Sequence, residues 1–567
     1  MQLMMRTRIP RVVEAFCLIG TLAGLVALPV AAQAQGIPHL TVTQPGGFPG
    51  KPVMTGIARV TNGISMTWDG PSGYYQLVKK SSLKDSKWTS VGGPTLNWQE
   101  TVAITPGNAF FRVSGPSANY LGSQGCTECH ANIQTTVLKT PHATAFTAAE
   151  FAAAGGQTNS SCLACHTVGY KLPTGFVSKS ATPKLANVQC ENCHGPAANH
   201  AANPNDFTVI PQVEIAATVC GGCHNGPMQP TYAEWNSSEH SAVTPAVLQS
   251  MASSSANISG CGRCHSGSVR LALLDGQNPV SLTNDLNVPI TCVVCHDPHQ
   301  TTAYPAQVRN PLHSTNYYSL TTSTNFSTAY NPNINICGQC HNSRGAAWTD
   351  TSRAPHHSQQ YNLLLGSIGE LATGSSTFNP GAHAGLPASA NYSLSGTFYL
   401  TNQCVSCHMQ KDVPPATTLS HAFTFGNYNV CLNCHPTNPD QLIPEVMFPA
   451  VSNRVYNLKY ALDYWAANNA NPAIRTNGVL PWEYTTPGGL IWQTNQAGKI
   501  TGWIQVDSVN FSGPNTAGQT LVPDDIKRAR FNLYLVLNDG SFGVHNPYFV
   551  LNLLDTAYDW VLGEIYN

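Results

Sequence analysis

Eighteen of the 19 cysteines in this 567-residue chain fall into nine C-x-x-C-H motifs, and only Cys17 stands apart. In chain order, motifs 1 to 9 are Cys126-Cys129-His130, Cys162-Cys165-His166, Cys190-Cys193-His194, Cys220-Cys223-His224, Cys261-Cys264-His265, Cys292-Cys295-His296, Cys337-Cys340-His341, Cys404-Cys407-His408 and Cys431-Cys434-His435. Two thiols separated by two residues reach both vinyl groups of one porphyrin, and the histidine that follows is then placed beneath the iron. The thioethers fix the macrocycle and the imidazole ligates the metal. Nine disulfides would not require a histidine after every second cysteine, and nine motifs all ending in His fit no zinc-ribbon ligand set. The expected cofactor is therefore haem c, nine copies, covalently attached.

Each iron needs a second axial ligand, and 11 of the 20 histidines lie outside the motifs. His39 and His545 fall outside the motif-bearing stretch and are set aside. The remaining candidates are His142, His200, His240, His299, His313, His356, His357, His383 and His421. One such histidine per iron implies mostly bis-histidine, low-spin centres, with low potentials and no open position. Met228, Met251, Met409 and Met447 are expected to pack. His356 and His357 complicate the count, because adjacent residues serve two irons only if their side chains diverge. If one of them does not ligate, His545, or His39 from a neighbouring subunit, fills the gap; otherwise one iron is five-coordinate and open to chemistry.

The remaining composition sets the context. Lys and Arg total 27 against 28 Asp and Glu, a formal net charge of −1, and charged residues make up 10% of the chain. That excludes a basic nucleic-acid binder and a charge-rich disordered chain. Two propionates per haem would add roughly 18 acids, so the loaded protein is expected to be more acidic than its sequence. Residues 1–34 read as a secretory signal, with Arg6, Arg8 and Arg11 before an apolar run and Ala32-Gln33-Ala34 as the cleavage site. Later stretches show no transmembrane span. The expectation is export to the periplasm or to the extracellular face and cell surface.

These chemical residues need elements to hold them. Residues 37–116 contain no cysteine and alternate as strands do, with Ile64, Met66 and Trp68 on one face, then Tyr75 and Leu77, then Phe111 and Val113. A small antiparallel β-sandwich is expected there. Residues 120–436 carry the motifs at about 34 residues each, too few for a conventional core around every macrocycle. Short helices and long polar loops should carry them, with porphyrin faces supplying much of the buried apolar surface. The longest interval, between motifs 7 and 8, is the expected place for a break or branch. In residues 437–567 an α+β cap is expected, with a helix near 451–465 and a hairpin over 490–506 turning at Gln496-Ala497-Gly498. A further helix runs from Pro523-Asp524-Asp525 to Gly540, and a last one starts at Asn546-Pro547 with Leu551, Leu554, Tyr558 and Val561 as its apolar stripe. The fold class is thus multidomain: β-sandwich, loop-rich and mainly α haem core, α+β C-terminal region ending in helices.

Several stretches carry family resemblances. Ile-Ser-Met-Thr-Trp, Tyr-Tyr-Gln-Leu-Val and Phe-Phe-Arg-Val-Ser in 37–116 resemble fibronectin type III or immunoglobulin-like modules. Cys162-Leu-Ala-Cys-His-Thr-Val-Gly-Tyr, Thr174-Gly-Phe and Val188-Gln-Cys-Glu-Asn-Cys-His-Gly-Pro with His200 resemble the c-554-type multihaem cytochromes over residues 120–245. Trp235 to His240 is similar to the segment that gives that family a distal histidine. Cys292-Val-Val-Cys-His-Asp-Pro-His resembles a motif of exported multihaem cytochromes in which the last histidine, here His299, ligates a haem. Gly543-Val-His-Asn-Pro is similar to the start of the C-terminal helices of several multihaem reductases. The resemblance implies electron transfer, with redox proteins or extracellular electron acceptors as partners. Two other readings stand beside it: an oxidoreductase acting on a small nitrogen or sulfur species at one open haem, and a haem-bearing docking component of a surface electron-transfer complex. No motif ends in Lys, as the open haem of ammonia-forming nitrite reductases commonly does. His39 near the mature N-terminus would allow a homopolymer.

Overall fold

The structure is a computed structural model. It describes residues 53–60, 63–69, 75–80, 89–95, 98–102, 110–114 and 119–566, apart from 173, 206–210, 212–214, 227–228, 282–285, 303–304, 310–335, 351–353, 373–378, 380, 382, 384–402, 411–418, 434, 436, 476–480, 484–488, 495–499 and 507–516. The leader, His39, His313, Met228, Cys434 and the turn at 496–498 lie outside the described residues.

Alternation in the N-terminal stretch yields six strands: β1 (Val53–Val60), β2 (Gly63–Asp69), β3 (Tyr75–Lys80), β4 (Thr89–Thr95), β5 (Gln99–Val102) and β6 (Phe110–Ser114). They form two antiparallel three-stranded sheets, ordered β1-β2-β5 and β4-β3-β6. Met66 and Trp68 from one sheet meet Tyr75, Leu77 and Val113 from the other in one buried cluster. The Trp68 and Tyr75 rings sit 5.9 Å apart. Period-2 patterning thus sends the large apolar side chains inward, as a half-buried sheet requires.

Short helices carry the motifs: α1 (Thr127–Val137), α2 (Ser160–His166), α3 (Cys190–His194), α4 (Ala217–Gly221), α5 (Ser255–His265), α6 (Cys292–Cys295) and α7 (Gln403–His408). Side-chain caps fix the starts of three of them. The Asn159 side chain accepts from the Ser161 N–H, and Ser254 accepts from Asn257. Gln189 and Asn192 form a reciprocal capping box on α3. Only small apolar clusters support this region, one around Phe146, Leu163 and Phe176 and one around Met251, Ile258 and Val269.

The large conventional core is C-terminal. Helices α8 (Phe448–Asn468), α9 (Asp524–Asp539) and α10 (Pro547–Tyr566) pack with Leu363 and Ile368 of the preceding stretch. On α8, Val451, Val455, Leu458, Leu462 and Trp465 make one buried stripe at helical spacing. On α10 the buried stripe is Val550, Leu553, Leu554, Ala557 and Val561, with Leu551 and Tyr558 flanking it half-buried. The expected stripe is therefore right for Leu554 and Val561 and shifted by one residue for the other two. Between α8 and α9, β7 (Gly489–Thr494) and β8 (Ile500–Val506) pair as the expected hairpin. Asp524 and Asp525 occupy the first turn of α9, where the helix dipole favours them, and Gly540 ends it in the left-handed conformation. Gln359 donates to the Leu535 carbonyl and Asn538 to the Pro355 carbonyl, both at 2.9 Å, which ties 354–370 to α9.

Candidate functional site

On one turn of helix, a cysteine, a second cysteine three positions later and the next histidine share a face, so each motif offers two sulfurs and one imidazole to the same space. The ring nitrogens are pre-set. His166 Nδ1 donates to the Ala145 carbonyl and His296 Nδ1 to the Ala306 carbonyl, each at 2.7 Å. A carbonyl can only accept, so the proton is on Nδ1 and the Nε2 lone pair is left for a metal.

Opposite seven motif histidines stands a second imidazole. The ring-centroid distances are 6.0 Å for His194 and His299, 6.1 Å for His341 and His240, and 6.1 Å for His265 and His356. They are 6.2 Å for His224 and His142, 6.2 Å for His296 and His421, 6.3 Å for His408 and His545, and 6.4 Å for His435 and His383. Metal–imidazole bonds of about 2 Å on each side, with centroids about 1 Å further out, put two axial imidazoles about 6 Å apart. Rings in direct contact are much closer: His356 lies 4.1 Å from His357, and Phe151 lies 4.0 Å from His166. The wider spacing fits one metal atom between two nitrogens. Among the described residues, no group of three or more His, Cys, Asp or Glu side chains gathers around a point, so the other ligands of such a metal would come from a macrocycle.

The second-ligand nitrogens are pre-set too. His421 Nδ1 donates to the Leu419 carbonyl at 2.9 Å and His383 Nδ1 to the Val544 carbonyl at 2.6 Å. The Ser358 hydroxyl donates to the Asn342 carbonyl and so accepts from His356 Nδ1 at 3.0 Å. Burial, with neighbouring imidazoles adding repulsion, holds His142 below its ordinary value and brings His240 and His265 to about 4. Neutral imidazole is the ligand form. His545 shifts upward: burial pulls it down, but the charge of Asp539 and its hydrogen bond outweigh that.

His545, set aside in the count and kept as a fallback, stands across from His408, where the turn between α9 and α10 returns it. The Gly543-Val-His-Asn-Pro stretch was the signal that marked it. His356 and His357 do not diverge: their rings stack at 4.1 Å, and His356 stands across from His265 at the wider spacing, with His357 within electrostatic reach of His265 and His341. His200 is half-buried, and its Nδ1 is buried with no hydrogen-bond partner. His130 is exposed, and neither it nor His166 has a described imidazole at the wider spacing. Met251 is fully buried in an apolar cluster.

A single cavity of about 2740 Å³ joins motifs 4 to 9, reaching Cys220, Cys264, Cys295, Cys337, Cys407 and Cys431 among others. A pocket for one small ligand measures roughly 300–1,000 Å³. Leu419, Phe425, Leu442 and Val446 line it and stay 39–57% exposed, large apolar surfaces of the kind a porphyrin face would cover. The residues present therefore fit several haems in contact. Contacts between thiols link the motifs. Cys126 lies beside Cys190, Cys165 beside Cys223, Cys220 beside Cys292, Cys264 beside Cys340 and Cys337 beside Cys404, each close enough to perturb the other's thiol. Cys193 lies within electrostatic reach of Cys220, Cys295 of Cys337, and Cys407 of Cys431. These contacts order the motifs as a row, 1-3-4-6-7-8-9, with motif 2 beside motif 4 and motif 5 beside motif 7.

Glu191 ties the first end of that row together. It is buried, and its carboxylate accepts from the backbone N–H groups of Leu121, Gly122 and Ala197 at 2.7–3.0 Å.

Residues 125–195 match the family model described as cytochrome c554 and c-prime. Over 160 residues the chain is 26% identical to the multiheme cytochrome MtrA of Shewanella baltica (strain OS185), covering 24% of this chain and 45% of that one. Over 158 residues it is 30% identical to the C-type polyheme cytochrome OmcB of Geobacter sulfurreducens (strain DL-1 / KN400), covering 24% of this chain and 20% of that one. The chain spans less than half the length of these curated relatives. Among solved structures it is similar to the outer cell wall cytochrome OcwA, with a TM-score of 0.48 and 17% identity over 78% of this chain and 99% of that one. It is also similar to the undecaheme cytochrome from the S-layer of Carboxydothermus ferrireducens, with a TM-score of 0.47 and 18% identity over 79% and 70% of the two chains. The chain is thus similar to multihaem c-type cytochromes, through the stretch that matches the cytochrome c554 and c-prime model and through about a quarter of its length shared with these relatives.

Proposed function

We propose that this chain is an exported electron conduit of nine covalently attached haem c groups, most of them closed by two imidazoles. When bound, haem c supplies a one-electron iron couple, and the polypeptide supplies ligation, burial and spacing. The observation that carries this reading is the set of seven imidazole pairs at 6.0–6.4 Å. His194, His224, His265, His296, His341, His408 and His435 would be the motif ligands, and His299, His142, His356, His421, His240, His545 and His383 their respective partners. His200 would serve motif 1: it follows Ala197, whose N–H is held by Glu191 in the motif touching motif 1 through Cys190. The leader expected at residues 1–34 supports a site outside the cytoplasm, with redox proteins or extracellular acceptors as partners.

A second reading rests on His166. Its ring stacks on Phe151 and no described imidazole stands opposite, so motif 2 would keep an open position where a small nitrogen or sulfur species reacts. Quantitative low-temperature EPR of the oxidised, fully loaded protein tests both readings. At least seven low-spin irons in nine are expected. A mostly high-spin spectrum overturns the conduit reading, and one high-spin iron that responds to nitrite or hydroxylamine puts the oxidoreductase reading first.

A further inference from the structure

His545 differs from His421, His383 and His356 in what its Nδ1 touches. His421 and His383 donate to backbone carbonyls and His356 to a hydroxyl, all neutral acceptors. His545 Nδ1 instead lies 2.6 Å from Oδ1 of Asp539, whose side chain is 1% exposed. The carboxylate is fixed from its other side. Its Oδ2 accepts from the Ser541 N–H at 3.3 Å and from the Ser541 hydroxyl, which in turn accepts from the His545 N–H at 3.2 Å. Among the described residues no lysine or arginine forms an ion pair with Asp539.

We infer that Asp539 is a positioning residue that lowers the potential of the haem of motif 8, acting through His545. The inference rests on the ligation proposed above. A carboxylate behind a ligating imidazole holds its tautomer and raises its basicity as a donor. A stronger donor beside a fixed, buried negative charge favours the more positive state of the metal. Reduction there adds one electron from a neighbouring centre, iron(III) becoming iron(II). No atom is transferred and the proton remains on Nδ1. Motif 8 touches motif 7 through Cys404 and faces motif 9 through Cys407, so the carboxylate sets the step that separates motif 9 from the rest of the row.

Spectroelectrochemical titration of the loaded protein, with EPR alongside, tests this. Asp539→Asn keeps an acceptor for Nδ1 and removes the charge. It should move one reduction step to higher potential, change the g-values of one low-spin signal and leave the low-spin total intact. Ser541→Ala removes the hydroxyl donor that offsets part of the carboxylate charge, keeps the backbone N–H donor, and should move the same step the other way. If both variants keep the low-spin total and shift no step, the inference is overturned while the ligation stands. If His545→Ala also leaves the low-spin total unchanged, it is the ligation reading of motif 8 that fails.

Discussion

The proposed closure of motif 5 by His356 rather than by its neighbour rests on one ring distance. His356 stands 6.1 Å from His265, whereas His357 lies flat against His356. His356→Ala should convert one iron in nine to high-spin by EPR, and His357→Ala should leave the low-spin total unchanged; the reverse result would reassign the ligand. Glu191 carries a different kind of weight. Its removal in Glu191→Ala strips the acceptor from the N–H groups of Leu121, Gly122 and Ala197, in a buried place that water cannot reach. Hydrogen bonds to a charged group contribute about 1.5–3 kcal/mol each, so a stability loss of about 3 kcal/mol or more is expected in guanidinium unfolding of the loaded protein. A loss under about 1 kcal/mol would mean that the loops find other acceptors. At this scale the motifs are fully legible in sequence, because attachment chemistry demands fixed local spacing. The second ligands are not, since any histidine that the chain returns to the right place will serve. His545 shows why: apart from the resemblance carried by Gly543-Val-His-Asn-Pro, nothing local to it separates a ligand from a capping-turn residue, and only the fold brings His408 opposite.

Two haem sites depend on one short turn. The segment between α9 and α10 presents the His545 ring opposite His408 and, one residue earlier, the Val544 carbonyl that holds His383 opposite His435. Gly543 makes the turn possible: its φ is +86°, and a Cβ there would press on Met447 and Val451 of the neighbouring helical stretch. Gly543→Ala is expected to change two low-spin EPR signals together, those of motifs 8 and 9. A change in only one would show that the two ligands are held independently. Leu553→Ala provides the contrast, since Leu553 is fully buried where α10 meets α9 and far along the helix from the turn. It should cost about 2–5 kcal/mol in unfolding experiments and leave both EPR signals in place. The helices themselves were readable from their punctuation, Asp-Asp at the start of α9, Gly540 at its end and Asn-Pro before α10. Their role in ligation was not, because apolar periodicity reports which face is buried and says nothing about what the loop between two helices reaches.

The order of motifs along the chain is not their order in space. Thiol contacts run 1-3-4-6-7-8-9, with motifs 2 and 5 as side positions, so motif 6 is the bridge between the two halves and motif 5 is not. Motif intervals that range from 27 to 67 residues in the sequence do not show this, because an interval gives a reach and not a direction. The distinction is measurable. Leu138, exposed and just past motif 1, takes a ruthenium photosensitiser through Leu138→Cys, and repeated flashes with a sacrificial donor then feed electrons into that end. In the parent protein all haems should be reduced in one fast phase. With Cys292→Ala and Cys295→Ala, which remove the haem of motif 6, only motifs 1 to 4 should remain in the fast phase, and motifs 5 and 7 to 9 should follow slowly through solution. With Cys261→Ala and Cys264→Ala, which remove the haem of motif 5, every remaining haem should still be reduced in the fast phase. Intact low-spin totals for the remaining irons in each variant separate a broken path from a broken fold. Equal slowing in the two variants would mean that motif 5 lies on the path and that contacts between thiols do not mark the route of the electron.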